Sequence, residues 1–179
     1  MAHALVVYES MFGNTEAIAQ EVARGLSTHM QVSIREVGQA AHAVPDDVAL
    51  VVVGAPTHAL GLSRASSRED AGTKRDQPLV SQGDGLREWL ASARPGRAGT
   101  LAAAFDTRSA HPRRPGSAAR AAARRLRRRG FALAGPTRSF WVDGMTGPLA
   151  DGELERARAW GAQLGATIAR AEQAPVVAA

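Results

Sequence analysis

The sequence of 179 residues contains no cysteine, which excludes disulfides, thiolate nucleophiles and thiolate metal sites. It also lacks any apolar run that approaches the roughly 20 residues needed to span a bilayer. The amino terminus enters an apolar segment directly, without the charged and then hydrophobic pattern of an export signal. These absences predict a cytoplasmic protein that is not an integral membrane protein.

Lysine and aromatic residues are scarce. Only Lys74 among the 22 basic residues is a lysine, and aromatics make up 4% of the chain. Such a bias is typical of a GC-rich genome, which accounts for the net charge of +5 without a function. Residues 108–129 nevertheless hold nine arginines and no acid. This Arg108–Arg129 surface is interpreted as a solvated helix face, or as a docking surface for an acidic redox partner or an anionic membrane. Nucleic acid is not expected, because no aromatic residue is interleaved among the arginines.

The sequence shows no set of residues with the spacing of a metal site or of a hydrolytic triad. The five histidines are scattered along the chain, and no carboxylate pair has the spacing of metal ligands. We therefore expect no metal and no catalytic triad, and chemistry that is either redox or absent. His58 is a candidate donor of a proton or hydrogen bond, although an exposed loop histidine without a role is an equal interpretation. His111, next to Pro112, indicates a plain turn.

Alternating strand and helix patterns predict the fold. Strand patterns occur at residues 5–8, 31–37, 48–54, 98–105 and 131–142, with amphipathic helical stripes between most of them. The last strand is expected to be interrupted near Pro136, because proline cannot pair in a ladder. The alternation predicts an α/β protein with a doubly wound, five-stranded parallel sheet. We expect a single domain over residues 1–172 and a disordered tail at 173–179.

Three loops follow strands at one edge of this sheet, where doubly wound proteins bind their ligands. Ser10–Thr15 joins the first strand to a helix, and its hydroxyls, its glycine and the helix N-terminus predict a phosphate cradle. The second loop spans residues 55–62 and the third spans residues 106–109. Their mixture of polar and apolar groups suits a mononucleotide with a flat ring. The long polar stretch at residues 56–82 is interpreted as a loop that is either a functional lid or partly mobile.

Residues 6–22, VVYESMFGNTEAIAQEV, resemble the FMN-binding signature of the flavodoxin family. The positions that meet the family pattern are Val6, Val7, Tyr8, Ser10, Gly13, Thr15, Ala19 and Val22. The turn Gly54-Ala55-Pro56-Thr57 is similar to the second flavin loop of the family. The resemblance implies a flavodoxin-like sheet with strand order 2-1-3-4-5 and an FMN cofactor.

The resemblance also implies the contacts of that cofactor. The FMN phosphate would be held by Ser10, Met11, Phe12, Gly13, Asn14 and Thr15. The isoalloxazine ring would be flanked by Pro56, Thr57, His58, Leu60 and Gly61. The pyrimidine side of the ring would meet backbone groups of Asp106, Thr107 and Arg108. In such a protein the cofactor supplies the redox chemistry and the chain tunes it.

Three functions stay open at this point. The first is an electron-transfer protein that serves a redox partner protein. The second resembles the FMN-dependent NAD(P)H:quinone or protoporphyrinogen-type oxidoreductases of the same fold, with a quinone-like small molecule as substrate and residues 62–82 as its lid. The third is a flavin-free binding module, which is favoured only by the lack of ring-stacking aromatic residues in the second and third loops.

Overall fold

The computed structural model describes residues 2–74, 76–110 and 115–173. Its strands are β1 (His3–Tyr8), β2 (Gln31–Glu36), β3 (Val48–Pro56), β4 (Leu101–Ser109), β5 (Ala132–Leu133) and β6 (Arg138–Val142). Its helices are α1 (Asn14–Leu26), α2 (Ala65–Gly72), α3 (Leu86–Ser92), α4 (Ala118–Arg128) and α5 (Glu153–Gln173), and a 3-10 turn spans Val37–Gln39.

The strands form one parallel sheet in the order β2-β1-β3-β4-β5. β5 and β6 both pair with β4, since Leu101 lies opposite Ala132 and Phe105 lies opposite Arg138. They are therefore two halves of one interrupted fifth strand, with Pro136 in the gap between them. The doubly wound sheet, the order 2-1-3-4-5 and the interruption of the last strand are all confirmed.

Two apolar cores lie on opposite faces of the sheet. Val7 and Val51 contribute to the core that contains residues of α3 and α4, whereas Val6 and Leu50 contribute to the core that contains residues of α1 and α5. Successive residues of a strand point to opposite faces. Because β1 and β3 are covered on both faces, they read as continuous apolar runs in the sequence rather than as alternating ones.

Helices α1 and α5 lie close together because glycines line their contact. A Cβ atom built on Gly25 would overlap the carbonyl oxygen of Arg158, and one built on Gly161 would overlap the carbonyl oxygen of Val22. An ion pair between Arg158 and Glu21, with Nε and Oε2 2.8 Å apart, also joins the two helices. The contact therefore depends on positions without a side chain.

Residues 56–82 contain a helix that their sequence pattern does not indicate. α2 buries only Arg68 and Ala71, so it has no apolar stripe to predict it. Arg68 donates a hydrogen bond to the Ser63 hydroxyl at 3.0 Å and pairs with Glu88 at 3.2 Å. Polar contacts of one arginine thus fix α2, and the expectation of an uninterrupted loop is wrong here.

Some sequence-based expectations concern residues that the structure does not describe. α5 reaches Gln173, the first residue of the tail expected at 173–179, and residues 174–179 lie outside the described residues. The same holds for the expected turn at His111 and Pro112. In the described ranges, no helix is both long enough and apolar enough to cross a bilayer.

Candidate functional site

A cavity of about 330 Å³ opens at the carboxyl ends of β1, β3 and β4. Its volume lies at the lower end of the range typical of small-molecule and cofactor sites. The first loop, the start of the second loop and the end of β4 contribute to its lining, as expected. The lining residues are Ser10, Met11, Phe12, Asn14, Thr15, Pro56, Thr57, His58, Ala59, Ser67, Asp70, Ala71, Lys74, Thr107, Arg108, Ser109, Val142, Gly144 and Met145.

The first loop has the shape of an anion cradle. The buried Ser10 hydroxyl accepts hydrogen bonds from the N–H groups of Gly13 (3.2 Å) and Glu16 (3.3 Å). Gly13 turns the chain with a φ of 91°, a conformation that favours glycine. Because the first bond of α1 runs from the Ala17 N–H to the Gly13 carbonyl, the N–H groups of Asn14 and Thr15 precede the helix's own ladder. They are the donors that an anion at a helix N-terminus uses.

Residues 80 and 81, far along the chain, form hydrogen bonds with the backbone of this loop. The N–H groups of Val80 and Ser81 donate to the carbonyls of Met11 (3.1 Å) and Ser10 (2.8 Å). The Ser10 N–H donates in return to the Ser81 hydroxyl at 3.0 Å. These bonds fix the backbone of the cradle independently of any ligand. No sequence signal marks Ser81, since it lies in a polar stretch with no periodicity.

Thr15 connects the first loop to the third. Its hydroxyl lies 2.7 Å from the hydroxyl of Thr107 in β4, and both side chains are buried. The carbonyl of Thr107 also accepts the Thr57 N–H at 2.9 Å, which connects the second loop to the same strand. The structure therefore brings together one residue from each of the three segments that the sequence singles out as loops. The expectation of a loop at residues 106–109 is wrong, because these residues pair with β6 and extend β4.

The second loop divides its residues between two cavities. Reciprocal bonds between the backbone groups of His58 and Gly61, at 2.8 and 2.9 Å, close a tight turn. Pro56 and Thr57 face the first cavity, while Leu60 and Gly61 line a second cavity on the other side of the turn. Leu60 is 64% exposed. The structure thus separates two of the sequence-predicted ring contacts from the others.

His58 lies on the wall between the two cavities. Burial lowers the pKa of its imidazole below the ordinary value, and the positive charges of Lys74 and Arg68 lower it further. The ring is therefore neutral at pH 7, with one nitrogen able to donate a hydrogen bond and the other able to accept one.

Asp106 has a structural position that its place in the third loop does not reveal. Its carboxylate is fully buried, and Oδ2 accepts bonds from the Thr57 hydroxyl (3.0 Å), the Ser117 hydroxyl (2.6 Å) and the Ala119 N–H (3.0 Å). The side chain thus attaches the second loop and the N-terminus of α4 to β4. It is not part of the cavity lining among the described residues.

Arg108 contributes a cation at the end of β4. Its guanidinium carbon lies 5.8 Å from the centre of the Trp141 ring, a distance at which cation–π attraction operates. Its Nε is buried and finds no hydrogen-bond partner within the described ranges. Two further arginines of the Arg108–Arg129 surface, Arg113 and Arg114, lie outside those ranges.

Two walls of the cavity come from segments in which the sequence identifies no individual site residue, although the first of them lies within the expected lid at residues 62–82. α2 and its following turn supply Ser67, Asp70, Ala71 and Lys74, and the end of β6 with its following loop supplies Val142, Gly144 and Met145. The Lys74 Nζ lies 2.9 Å from the Met145 sulfur, so the two walls meet. The one sequence feature that distinguishes this part of the site is Lys74, the single lysine of an arginine-rich chain.

Glu9 is a buried carboxylate directly before the cradle. It accepts bonds from the Ser63 hydroxyl and, at 2.8 Å, from the Leu86 N–H. Burial raises the pKa of Glu9 above the ordinary glutamate value, although these hydrogen bonds and the nearby Arg68 oppose the shift. The carboxylate attaches the segment after α2 and the start of α3 to the end of β1.

The raised pKa of Glu9 predicts a pH-dependent stability. The folded state holds this proton more tightly than the unfolded chain does, so its contribution is greatest below about pH 4.3, the unfolded pKa. It is lost as the pH rises through the folded pKa. We therefore expect the free energy of unfolding of the wild type to fall relative to that of Glu9→Gln as the pH is raised from about 4 to 7. Urea denaturation at several pH values measures this difference.

The control for this experiment is Glu69→Gln, the same substitution at an exposed position of α2. Its difference from the wild type should stay nearly constant over the same pH range. If the Glu9→Gln profile also ran parallel to that of the wild type, the buried carboxylate would not have the raised pKa.

Comparison with known sequences identifies the family. The sequence model of the flavodoxin family matches residues 6–109, more than half of the chain. No curated protein sequence matches this chain significantly. The matched range contains the cradle, the second loop and the whole of β4.

Solved structures share the fold at low sequence identity. A flavodoxin from the domain Archaea is 18% identical, with a TM-score of 0.62 over 93% of this chain and 98% of its own. Flavodoxin 1 of Bacillus cereus is 17% identical, with a TM-score of 0.63 over 94% and 98%. A WrbA-like flavodoxin from Agrobacterium tumefaciens is 16% identical, with a TM-score of 0.56 over 95% and 99%. At such identities these likenesses concern the fold alone. With the family match over residues 6–109, this chain belongs to the flavodoxin family.

Proposed function

We propose that this protein binds FMN and transfers electrons. The observation that carries the proposal is the Ser10–Thr15 loop, whose N–H groups and hydroxyls collect at the N-terminus of α1 beside a cavity of about 330 Å³. Such a terminus attracts anions through its unpaired N–H groups and its dipole. Membership of the flavodoxin family implies a flavin cofactor, and FMN is the flavin that ends in a single phosphate.

The residues present suit both ends of this cofactor. At the phosphate end, the loop offers the backbone donors of Asn14 and Thr15 and the Thr15 hydroxyl. Away from the loop, the walls combine polar and charged side chains with apolar residues, which are Pro56, Ala59, Ala71, Val142 and Met145. When bound, FMN would supply the redox chemistry, accepting and releasing electrons.

The chain's own contribution to that chemistry is electrostatic. Arg108 and Lys74 both line the cavity, where Asp70 offsets only one of the two charges, and a cation near the cofactor favours its more negative, reduced forms. His58 is neutral and offers hydrogen bonds rather than charge. We therefore propose that the cationic side chains raise the reduction potential of the bound flavin.

Titration with FMN tests the proposal. Thr15→Val removes a hydroxyl from the cradle and keeps the shape of the side chain, so we expect FMN binding to weaken by about tenfold, which corresponds to one lost hydrogen bond of roughly 1.4 kcal/mol. Quenching of flavin fluorescence measures the dissociation constant, and circular dichroism checks the fold.

Thr167→Val is the matched control. The Thr167 hydroxyl donates to the Gln163 carbonyl of its own helix, α5, at 2.8 Å and is exposed, so its loss should leave FMN affinity unchanged. Failure of the wild type to bind flavin at a large excess of FMN would overturn the proposal and favour a flavin-free binding module.

An oxidoreductase that acts on a quinone-like small molecule is a second candidate. It is favoured by the contact between Lys74 and Met145, which joins the α2 side of the cavity to the loop after β6 and could enclose a substrate as well as a cofactor. Anaerobic titration with a reductant separates the two. Bleaching of the flavin in two one-electron stages supports the carrier, whereas a single two-electron stage with turnover of a quinone supports the oxidoreductase.

We also propose that the redox partner has an acidic docking face. Arg120 and Arg127 are exposed on α4, within the Arg108–Arg129 surface that contains no acid. A partner protein with an acidic docking face would complement this surface and associate faster at low ionic strength.

A further inference from the structure

The second cavity, of about 500 Å³, lies on the other side of the His58–Gly61 turn from the first. It is formed by this turn, by α4 and by the start of α3. Among the described residues that line it there is no acidic residue, and there are five arginines: Arg64, Arg87, Arg124, Arg125 and Arg128. We refer to it as the arginine cavity.

Arg87 is fixed at the wall of this cavity. Its Nε donates to the Ser63 carbonyl at 2.7 Å, and its Nη2 donates to the Leu62 carbonyl at 2.6 Å. Two backbone carbonyls therefore bind the edge of the guanidinium formed by Nε and Nη2. The Nη1 group takes no part in these two hydrogen bonds. A guanidinium that is already oriented loses little conformational entropy when it binds an anion.

Like charges lie close to Arg87. Burial lowers its pKa most, the charges of Arg125 and Arg64 lower it further, and the carboxylates of Glu88 and Glu9 oppose the shift. The neighbouring Glu88 pairs with Arg68. In the described part of the chain, none of the five cavity arginines forms an ion pair, although Arg24, Arg68, Arg156 and Arg158 all do.

We propose that the arginine cavity binds the oligophosphate group of a small molecule. Several guanidinium groups around one concave site match a ligand that presents several negative oxygens, because arginine binds phosphate through paired N–H donors. The volume exceeds what one phosphate needs, and the exposed Leu60 at the rim offers an apolar contact to the rest of the ligand. The site is separate from the cradle and uses none of the cradle's residues.

Isothermal titration of the purified protein with inorganic pyrophosphate and with inorganic phosphate tests this proposal. We expect pyrophosphate to bind at least about tenfold more tightly than phosphate, because it engages more guanidinium groups. The double variant Arg124→Gln/Arg128→Gln, in which both residues are exposed on α4 and line the cavity, should bind pyrophosphate at least about tenfold more weakly.

The matched control is Arg120→Gln/Arg127→Gln. It removes the same charge from the same helix, but these two exposed arginines are not in the lining described for the cavity, so pyrophosphate affinity should change little. Equal losses in both double variants would reduce the effect to net charge and overturn the proposal. The absence of pyrophosphate binding to the wild type would also overturn it. So would a competition experiment in which a glutamate-rich peptide displaces pyrophosphate at a lower concentration than a nucleoside triphosphate does, because the cavity would then prefer an acidic protein.

The titrations are repeated with FMN present and absent. Pyrophosphate binding that is independent of FMN is expected, because the two sites use different donors. Loss of FMN binding alone would then count against the proposed function, and loss of pyrophosphate binding alone would count against the arginine cavity.

Discussion

Replacement of Asn14 by aspartate is expected to weaken FMN binding by at least about 100-fold, or roughly 2.7 kcal/mol, at low ionic strength. Asn14 is the first residue of α1 and lines the cavity beside Ser10 and Thr15. A carboxylate at this position sets a full negative charge next to the site proposed for the phosphate. Two unit charges about 4 Å apart near a protein surface repel by roughly 4 kcal/mol, so the estimate is conservative for a dianion.

The fold should survive this change. Acidic residues in the first turn of a helix stabilise it by about 0.3–1 kcal/mol. This gain offsets the loss of the hydrogen bond that the Asn14 Nδ2 donates to the Thr146 carbonyl at 3.0 Å. The melting temperature of the flavin-free variant should therefore stay close to that of the wild type, and lost affinity would not reflect lost structure.

Riboflavin is the control ligand, because it carries the same ring without the phosphate. Its dissociation constant should be nearly the same for the wild type and Asn14→Asp, while that of FMN rises. Fluorescence titration with both ligands measures the two constants. Equal weakening of FMN and riboflavin, or unchanged FMN affinity, would place the phosphate away from the N-terminus of α1.

Gly161→Ala is expected to lower the free energy of unfolding by about 2–3 kcal/mol. The added Cβ would overlap the carbonyl oxygen of Val22, which is backbone in α1 and cannot rotate away. The two helices would have to separate, which would loosen the contact of α1 with α5 over its whole length. An alanine in place of glycine normally stabilises a helix by about 1 kcal/mol. The free-energy cost of the overlap must therefore exceed this gain for the protein to be destabilised.

Gly72→Ala provides the comparison in urea denaturation. Gly72 is the last residue of α2, and a Cβ there would meet only the Leu79 side chain, at 4.0 Å. This variant should be as stable as the wild type or more stable by up to about 1 kcal/mol. A Gly161→Ala protein that matched Gly72→Ala in stability would show that α1 and α5 can separate without cost.

The sequence was most informative where local chemistry and tertiary structure agree. β1, the cradle and α1 form one continuous segment, in which a hydroxyl, a glycine and a helix start follow each other at fixed spacing. Ser10, Gly13 and Thr15 act through contacts within that segment or at the adjoining strand end, so their positions could be predicted. The sheet order could be predicted as well, because the family resemblance supplied what periodicity alone does not.

The remaining walls could not be predicted, because distant contacts determine them. α2 is fixed by Arg68 and its polar partners rather than by an apolar stripe, and periodicity detects only the latter. The turn at His58–Gly61 places Leu60 in the arginine cavity. The residue types of the loop alone do not predict this change of direction. The bonds from Ser81 to the cradle join residues 71 positions apart, and no short-range pattern records such a pairing.

The buried carboxylate of Asp106 has a consequence for the dynamics of this edge of the molecule. The amide of Ala119 donates to Asp106, and the amide of Ala118 donates at 3.0 Å to the hydroxyl of Thr57, which itself donates to Asp106. Opening the start of α4 therefore breaks the support of the second loop, and displacing that loop uncovers the start of α4. The two segments form one cooperative unit for local unfolding and hydrogen exchange.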